Sequence, residues 1–470
     1  MPIKFASGGF RDQNCSGVRH FLSFQVDVSS IQDGSAMQNL LMVACAGLAC
    51  TGTCSVDMHP ASLVAPLYKS ILYEMSSQAA HLEMPTMSLA EVSRIHGLSR
   101  PVWWQNVQLC KRWFLLVANH YDDELKSYYV PSAVYSLRQS LGRISHVAAV
   151  QTFMTMGATQ IEVMQLNGQT LIAVSNYYNG SSHHITSAIY SFGRAYRESC
   201  GPGIEPEMLL IQEFESHGAR SLSHLSFSSE HALLAVAHEK GGKVALMQWD
   251  EEIQEFLIVA EHACRAPAHL VSWVAERDGY EHTGIVGGLG FGFIAVASSI
   301  SDAIILRVGS GGDVRVVHTL ATGPADALSL FRGHLLKDVS STSERCLIIA
   351  VQDSHGAGSG SSDIYCSHAS SEEVGVGGGK WIRHFAVGSA ASGALELVDI
   401  NGERILLSGQ SWAQDLQVCI LCFLFFPCQR EKGRSTMIVH QYQRIGQLKQ
   451  VKHRTSKLKI PHHKIMHTCQ

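Results

Sequence analysis

Three cysteines near the C-terminus, Cys419, Cys422 and Cys428, stand at a spacing that a zinc ion could use. A structural zinc needs four sulfur or nitrogen ligands at compatible spacing, and only scattered histidines follow this group, so no metal is expected there. Gly288, Gly290 and Gly292 could line a phosphate, but their G-x-G-x-G spacing leads into a strand pattern instead of a helix start, which a dinucleotide loop requires. The run Gly377 to Lys380 lacks the first glycine and the hydroxyl residue of a P-loop. Structural turns account for both. The chain holds 25 histidines, among them His183, His184, His217, His238, His462 and His463. None has a carboxylate pair or a nucleophile at a spacing that prescribes proton transfer. No catalytic residue, cofactor or metal site is therefore expected, and the chain is read as a non-enzyme.

The elements that would position these residues are more informative than the residues. A small residue opens a repeated unit near Gly17, Gly97, Gly157, Gly218, Cys264, Gly323 and Ala391. Each unit has an apolar run, a turn, a second run of Leu, Ile, Val and Ala, a polar loop of variable length and a third run. The second run recurs as FLLVANHY from Phe114, LIAVSNYY from Leu171 and LLAVAHEK from Leu233. Continuous aliphatic runs of this length suit strands buried on both faces. A fourth run precedes each marker, as in AVQTFMTMG from Ala149. Four short strands per unit, seven units and no sustained helical period predict an all-β fold, a seven-bladed β-propeller of four-stranded antiparallel blades. Residues 1–15 would precede it, 16–450 would form it, and 451–470 would be a basic tail. The apolar stretch 417–434 interrupts the last unit between its second and third strands. It reads best as a wrongly retained coding stretch, ahead of a buried or partner-facing hairpin.

Several classes are disfavoured. The formal charge of -4 gives no pull toward nucleic acid. The longest apolar run, about ten residues from Val418, is too short for a membrane-spanning helix. The N-terminus lacks the apolar core of a secretory signal, so the sequence is expected to begin downstream of its true start. The 13 cysteines do not recur from unit to unit and read mostly as buried apolar residues, with one or two bridges. Trp249-Asp250 is a single WD pair, and the Gly-Gly doublets at Gly241, Gly287 and Gly311 fall in differing registers, so WD40 and kelch repeats are disfavoured.

One family carries the pattern. Thr155, Gly157, Ala158, Thr159, Asn167, Gly168, Ala173, Val174, Asn176, Ile189 and Tyr190, with VANHYD from Val117, resemble the EAR repeat, the epilepsy-associated or EPTP repeat, over roughly residues 16 to 450. The resemblance implies a seven-bladed propeller that binds proteins outside the cell or at its surface, in signalling or adhesion such as Notch-related regulation, with a cell-surface receptor as partner. The family can hold axial calcium through an acid after the Gly-Ala-Thr element. Here Arg100, Gln160, Ser221 and Ala394 stand at the matching places and only Asp326 is acidic, so calcium is not expected. The binding candidates are the loops between second and third strands, carrying Asn119, His120, Tyr121 and Asp122 in one unit and Asn176, Tyr177 and Tyr178 in the next. Asn179 and Asn14 head glycosylation sequons, which favours an extracellular chain. The alternatives are an intracellular WD40- or kelch-like scaffold and, further off, a propeller hydrolase or lyase with acids and bases converging at the axial mouth.

Overall fold

The structure, a computed structural model, describes the backbone of the strands below and of 98–109, 112–140, 143–192, 207–274 and 290–332. Side chains are described for 98–109, 112–137, 147–192, 207–274 and 290–330, and for a few positions around them. Two short strands come first, β1 (Ile3–Lys4) and β2 (Phe10–Asp12). The first sheet is β3 (Val18–Asp27), β4 (Met37–Gly47), β5 (Leu67–Gln78) and β6 (Thr86–His96). The second is β7 (Pro101–Leu109), β8 (Arg112–Asn119), β9 (Tyr129–Ser140) and β10 (Arg143–Met156). The third is β11 (Ala158–Leu166), β12 (Gln169–Asn176), β13 (His184–Phe192) and β14 (Met208–His217). The fourth is β15 (Ala219–Ser226), β16 (Ala232–His238), β17 (Lys243–Asp250) and β18 (Glu255–Ala263). The fifth is β19 (Pro267–Val274), β20 (Phe291–Ser298), β21 (Ala303–Gly309) and β22 (Val314–Leu320). The sixth is β23 (Ala325–Arg332), β24 (Arg345–Val351), β25 (Ser361–His368) and β26 (Lys380–Gly388). Then come β27 (Ser392–Ile400), β28 (Glu403–Gln410), β29 (Leu416–Val418), β30 (Leu421–Cys422), β31 (Thr436–His440) and β32 (Met466–Thr468).

Six sheets pair their four strands antiparallel, and a seventh has the order β2-β29-β28-β27 with β30 beside β28. The first strand of each sheet lies against the first strand of the next, from β3 through β7, β11, β15, β19 and β23 to β27, and β27 returns to β3. Sheets arranged face to face in a closed ring are a β-propeller.

The aliphatic second strands explain the ring. On β12, Ile172 and Val174 pack with Phe114 and Leu116 of the second sheet, while Leu171 and Ala173 pack with Leu222 and Leu234 of the fourth. On β16, Leu234 and Val236 face the third sheet and Leu233 and Ala235 face the fifth. Successive strand residues point to opposite faces, so a strand between two cores must be apolar at every position.

Every first strand carries a bulge near its start, which skips Arg19, Val102, Thr159, Arg220, Ala268, Asp326 and Gly393 in turn. The residue after the bulge can then reach the next inner strand. Gln160 Oε1 accepts the Leu222 N–H at 2.8 Å and its Nε2 donates to the Leu222 carbonyl at 2.8 Å. Ser221 Oγ accepts the Leu270 N–H at 2.9 Å, and His269 Nδ1 accepts that of Leu328 at 3.0 Å. Outer strands are joined likewise: the amide of Gln151 brackets the backbone of Met208, and that of Gln212 the backbone of Phe256.

The last sheet differs from expectation. β31, expected as a third strand, pairs instead with β1 and β32 in a separate sheet. Within the stretch expected to be foreign, 417–434, β30 and the end of β29 pair with β28 and fill the third-strand place. The outer strand comes from the N-terminus, as β2 pairs antiparallel with β29. A ring cut at its seventh sheet must close through one terminus, and here it is the first.

Candidate functional site

Strand direction reverses at every step, so the connections from second to third strands and from each sheet to the next share one face. Those of the second and third sheets, 120–128 and 177–183, are fastened to the turns that open the inner strands. The Gly157 N–H donates to the Tyr128 carbonyl at 2.7 Å, the Tyr177 N–H to the Met156 carbonyl at 3.1 Å and the Gly218 N–H to the His183 carbonyl at 2.6 Å. Gly157 has φ +55°, and a Cβ there would lie 2.6 Å from the Tyr178 carbonyl oxygen, so this junction needs glycine.

Some expected binding residues are structural. Asn119 and Asn176 are each 4% exposed. The Asn119 amide donates to the Pro131 carbonyl at 2.7 Å and that of Asn176 to the Thr186 carbonyl at 2.8 Å. Asn176 Oδ1 also accepts the Met156 N–H at 3.0 Å. These side chains tie second strand to third and present little to a partner. Asp122 caps its own loop, its Oδ1 accepting the N–H groups of Glu124 and Leu125, both at 2.9 Å.

The aromatic candidates converge. Ring centroids lie 4.6 Å apart for Tyr121 and Tyr128, 4.9 Å for Tyr128 and Tyr178, 4.6 Å for Tyr178 and His183, and 4.7 Å for His183 and Tyr177. His120 sits 5.4 Å from Tyr128 and 6.3 Å from Tyr177, closing the group. The six rings are half-buried and form a seam from the second sheet to the third. His183 Nδ1 lies 2.9 Å from the Tyr177 carbonyl, and His120 Nδ1 lies 3.1 Å from that of Gly157. A carbonyl only accepts, so Nδ1 carries the proton in both rings. Cations flank the seam. Arg100 lies 4.9 Å from the Tyr121 centroid and grips Asp123 with two hydrogen bonds, of 2.9 and 2.7 Å. Lys240 Nζ lies 6.0 Å from the Tyr177 centroid, and burial followed by the charge of Glu239 raises the Tyr177 phenol, with Lys240 and Arg220 opposing. The Tyr128-Tyr129 doublet beside Tyr177-Tyr178 was the signal for Tyr128; nothing local marked Arg100 or Lys240.

At the axial end of this face Arg220 spans two carboxylates, Glu239 at 2.8 Å and Asp326 at 3.4 Å. Burial opposes ionisation of Glu239, but the Arg220 charge and hydrogen bond, joined by Lys240, outweigh it and hold the carboxyl below its ordinary value. Asp326 and Arg220 are equivalent bulge residues, as are Thr159 and Val102. The expected equivalence of Asp326 to Gln160 and Ser221 is therefore displaced by one position, because Pro324 lengthens the turn before β23. Gln160 and Ser221 serve instead as the latches between inner strands. Deeper on the axis, Trp103 of β7 meets His269 of β19 with centroids 5.8 Å apart. Burial, followed by the Arg220 charge, pushes His269 down to about 4. Among the described residues no group of three or more His, Cys, Asp or Glu could hold a metal ion.

Asn179 is exposed at a loop tip, its Oδ1 accepting the Ser181 N–H at 2.9 Å and the Ser182 N–H at 2.8 Å. Asn14 lies outside the described residues. Cys366 is disulfide-bonded, whereas Cys264 is a buried free thiol pushed up to about 11 by burial. No helix among the described residues is long and apolar enough to cross a membrane.

No protein-family pattern and no curated protein matches the chain. Solved structures do show likeness. A protein from Lactobacillus plantarum is 9% identical with a TM-score of 0.45, covering 80% of this chain and 98% of its own. A protein from Bacteroides fragilis provisionally assigned as a 6-phosphogluconolactonase is 11% identical with a TM-score of 0.44, over 84% and 98%. The fucose-specific lectin from Aleuria aurantia is 8% identical with a TM-score of 0.40, over 83% and 98%. At these values the likenesses carry no functional argument, and the propeller stands on its own strand pairing.

Proposed function

We propose that the chain is a non-enzymatic propeller that binds a protein partner outside the cell, a cell-surface receptor, through the seam of Tyr121, Tyr128, Tyr177 and Tyr178 with His120 and His183. The carrying observation is the seam itself: half-buried aromatic rings from two blades, locked by backbone hydrogen bonds and edged by Arg100 and Lys240. Rigid tyrosines with a polar rim supply contact area at low entropic cost. The disulfide at Cys366 and the exposed sequon at Asn179 support an oxidising, extracellular setting. Two carboxylates and a guanidinium do meet at the axial mouth, where a hydrolase or lyase would place its acid and base. Yet both carboxylates there face Arg220, and the side chain of Glu239 is held ionised, so it is poorly placed to carry a proton near neutral pH.

The secreted chain, applied to intact cells and to cell-surface extracts, is expected to capture a surface protein, and Tyr128→Ala with Tyr178→Ala to weaken capture at least tenfold. Capture of cytosolic proteins alone would overturn the extracellular reading. Unchanged capture by the double variant would overturn the seam.

A further inference from the structure

The geometry points to a second binding surface, the outer edge of the fourth sheet, where β18 accepts a basic extended segment of a partner protein as an added strand. β18 is the last strand of its sheet, and an edge strand offers a row of backbone donors and acceptors. It exposes three successive apolar residues, Leu257 at 44%, Ile258 at 57% and Val259 at 42%. β14, the neighbouring outer strand, adds exposed Leu209 and Leu210. Such a stripe in contact with water is costly unless something covers it.

Two observations say what covers it. First, the edge already holds an amide in β register. The Gln212 side chain donates to the Phe256 carbonyl at 2.8 Å and accepts the Phe256 N–H at 2.7 Å, the two bonds that one residue of an antiparallel added strand would make. By the alternation of a strand, Ile258 turns its own backbone groups outward next, just before the bulge that skips Val259. Second, the border is acidic. Glu252, Glu255 and Glu261 are exposed on β18 or its turn, and Glu213 and Glu215 on β14. Lys243 lies 2.6 Å from Glu261 and His184 3.9 Å from Glu215, while His262 stands on β18 itself and Arg315 and His318 on the adjoining β22. A Lys- or Arg-bearing strand with apolar alternate residues complements this edge in hydrogen bonding, burial and charge. A second copy pairing edge to edge would set these glutamates against each other, and an anionic lipid surface or nucleic acid would be repelled.

The probe is a fluorescein-labelled peptide of alternating Lys and Val, with alternating Glu–Val and Lys–Gly peptides as comparisons, titrated into the full chain by anisotropy. Lys–Val is expected to bind at least tenfold more tightly than either, to weaken with added salt, and to slow amide exchange in β18. Ile258→Lys should weaken it at least tenfold. Ile382→Lys, at an exposed position of β26, should leave it unchanged; circular dichroism verifies that both variants fold. Equal binding of Glu–Val or Lys–Gly, retained affinity in Ile258→Lys, or protection confined to other strands would overturn the proposal.

Discussion

His238 is 3% exposed, and its Nδ1 accepts the backbone N–H of His217 at 3.1 Å. Burial first, then the charges of Lys243 and His217, push its pKa down to about 4 from 6.5. A folded-state pKa below the unfolded one means that the unfolded chain binds the proton first. The stability that His238 contributes is complete above about pH 6.5 and is lost as pH falls toward 4, on the order of 3 kcal/mol by the end. His269 acts in the same sense. His224 acts in the opposite one: burial lowers it, but the Glu162 hydrogen bond and charge prevail, so its contribution is present at low pH and fades as pH rises through its raised pKa. Urea melts between pH 7 and 4 should show falling stability, with a shallower fall in His238→Asn, which keeps an acceptor and does not titrate. At Gly157, alanine must adopt φ +55° and meet the Tyr178 carbonyl, so Gly157→Ala should cost about 2 kcal/mol or more and disturb seam binding. Gly168→Ala, with φ +70° but open space around it, should show the backbone strain alone, about 1 kcal/mol. Comparing the two urea midpoints separates clash from strain.

At the scale of elements, the bulge is what makes a sheet into a blade. It turns the following side chain toward the next inner strand, and Gln160 uses that aim to satisfy both polar groups of Leu222. Gln160→Met keeps the volume and removes both bonds. Each orphaned buried backbone group should cost about 1–3 kcal/mol, read as a lower urea midpoint at unchanged slope. Gln212→Met orphans Phe256 groups that are closer to solvent and should cost less. On the sixth sheet, Cys366 stands across from Cys346 in the strand register. Non-reducing peptide mapping should recover Cys366 in a bridge and Cys264 as a thiol that alkylates only after unfolding.

For the whole molecule, closure by β2 joins the first residues to the last sheet. Each sheet is stabilised mainly by its neighbours, so an open ring exposes two apolar faces. Removing residues 1–12 should broaden the thermal transition and lower its midpoint, while β11 to β18 keep their hydrogen-exchange protection longest. Uniform destabilisation across all sheets would instead mark the ring as one cooperative unit.

How much was legible follows from which signals are local. The four-strand unit, the two-sided burial of runs such as LLAVAH, and the propeller itself were written in periodicity, since burial on two faces demands apolar side chains at every position. Of the seam tyrosines, Tyr177 and Tyr178 stand as a doublet in a polar loop and Tyr121 stands alone in another, while Tyr128, in the doublet with Tyr129, was not among the expected binding residues. What those loops do was not: Asn119 and Asn176 read as ligands, but only the fold shows their amides spent on the third strand. The displaced place of Asp326, its partnership with the distant Arg220 and the closure through β2 depend on bulges and on chain segments far apart in sequence. A sequence pattern records which side chains must leave water. Which polar groups then meet is decided when the sheets close into a ring, because only closure brings strands separated by a hundred residues or more within hydrogen-bond reach.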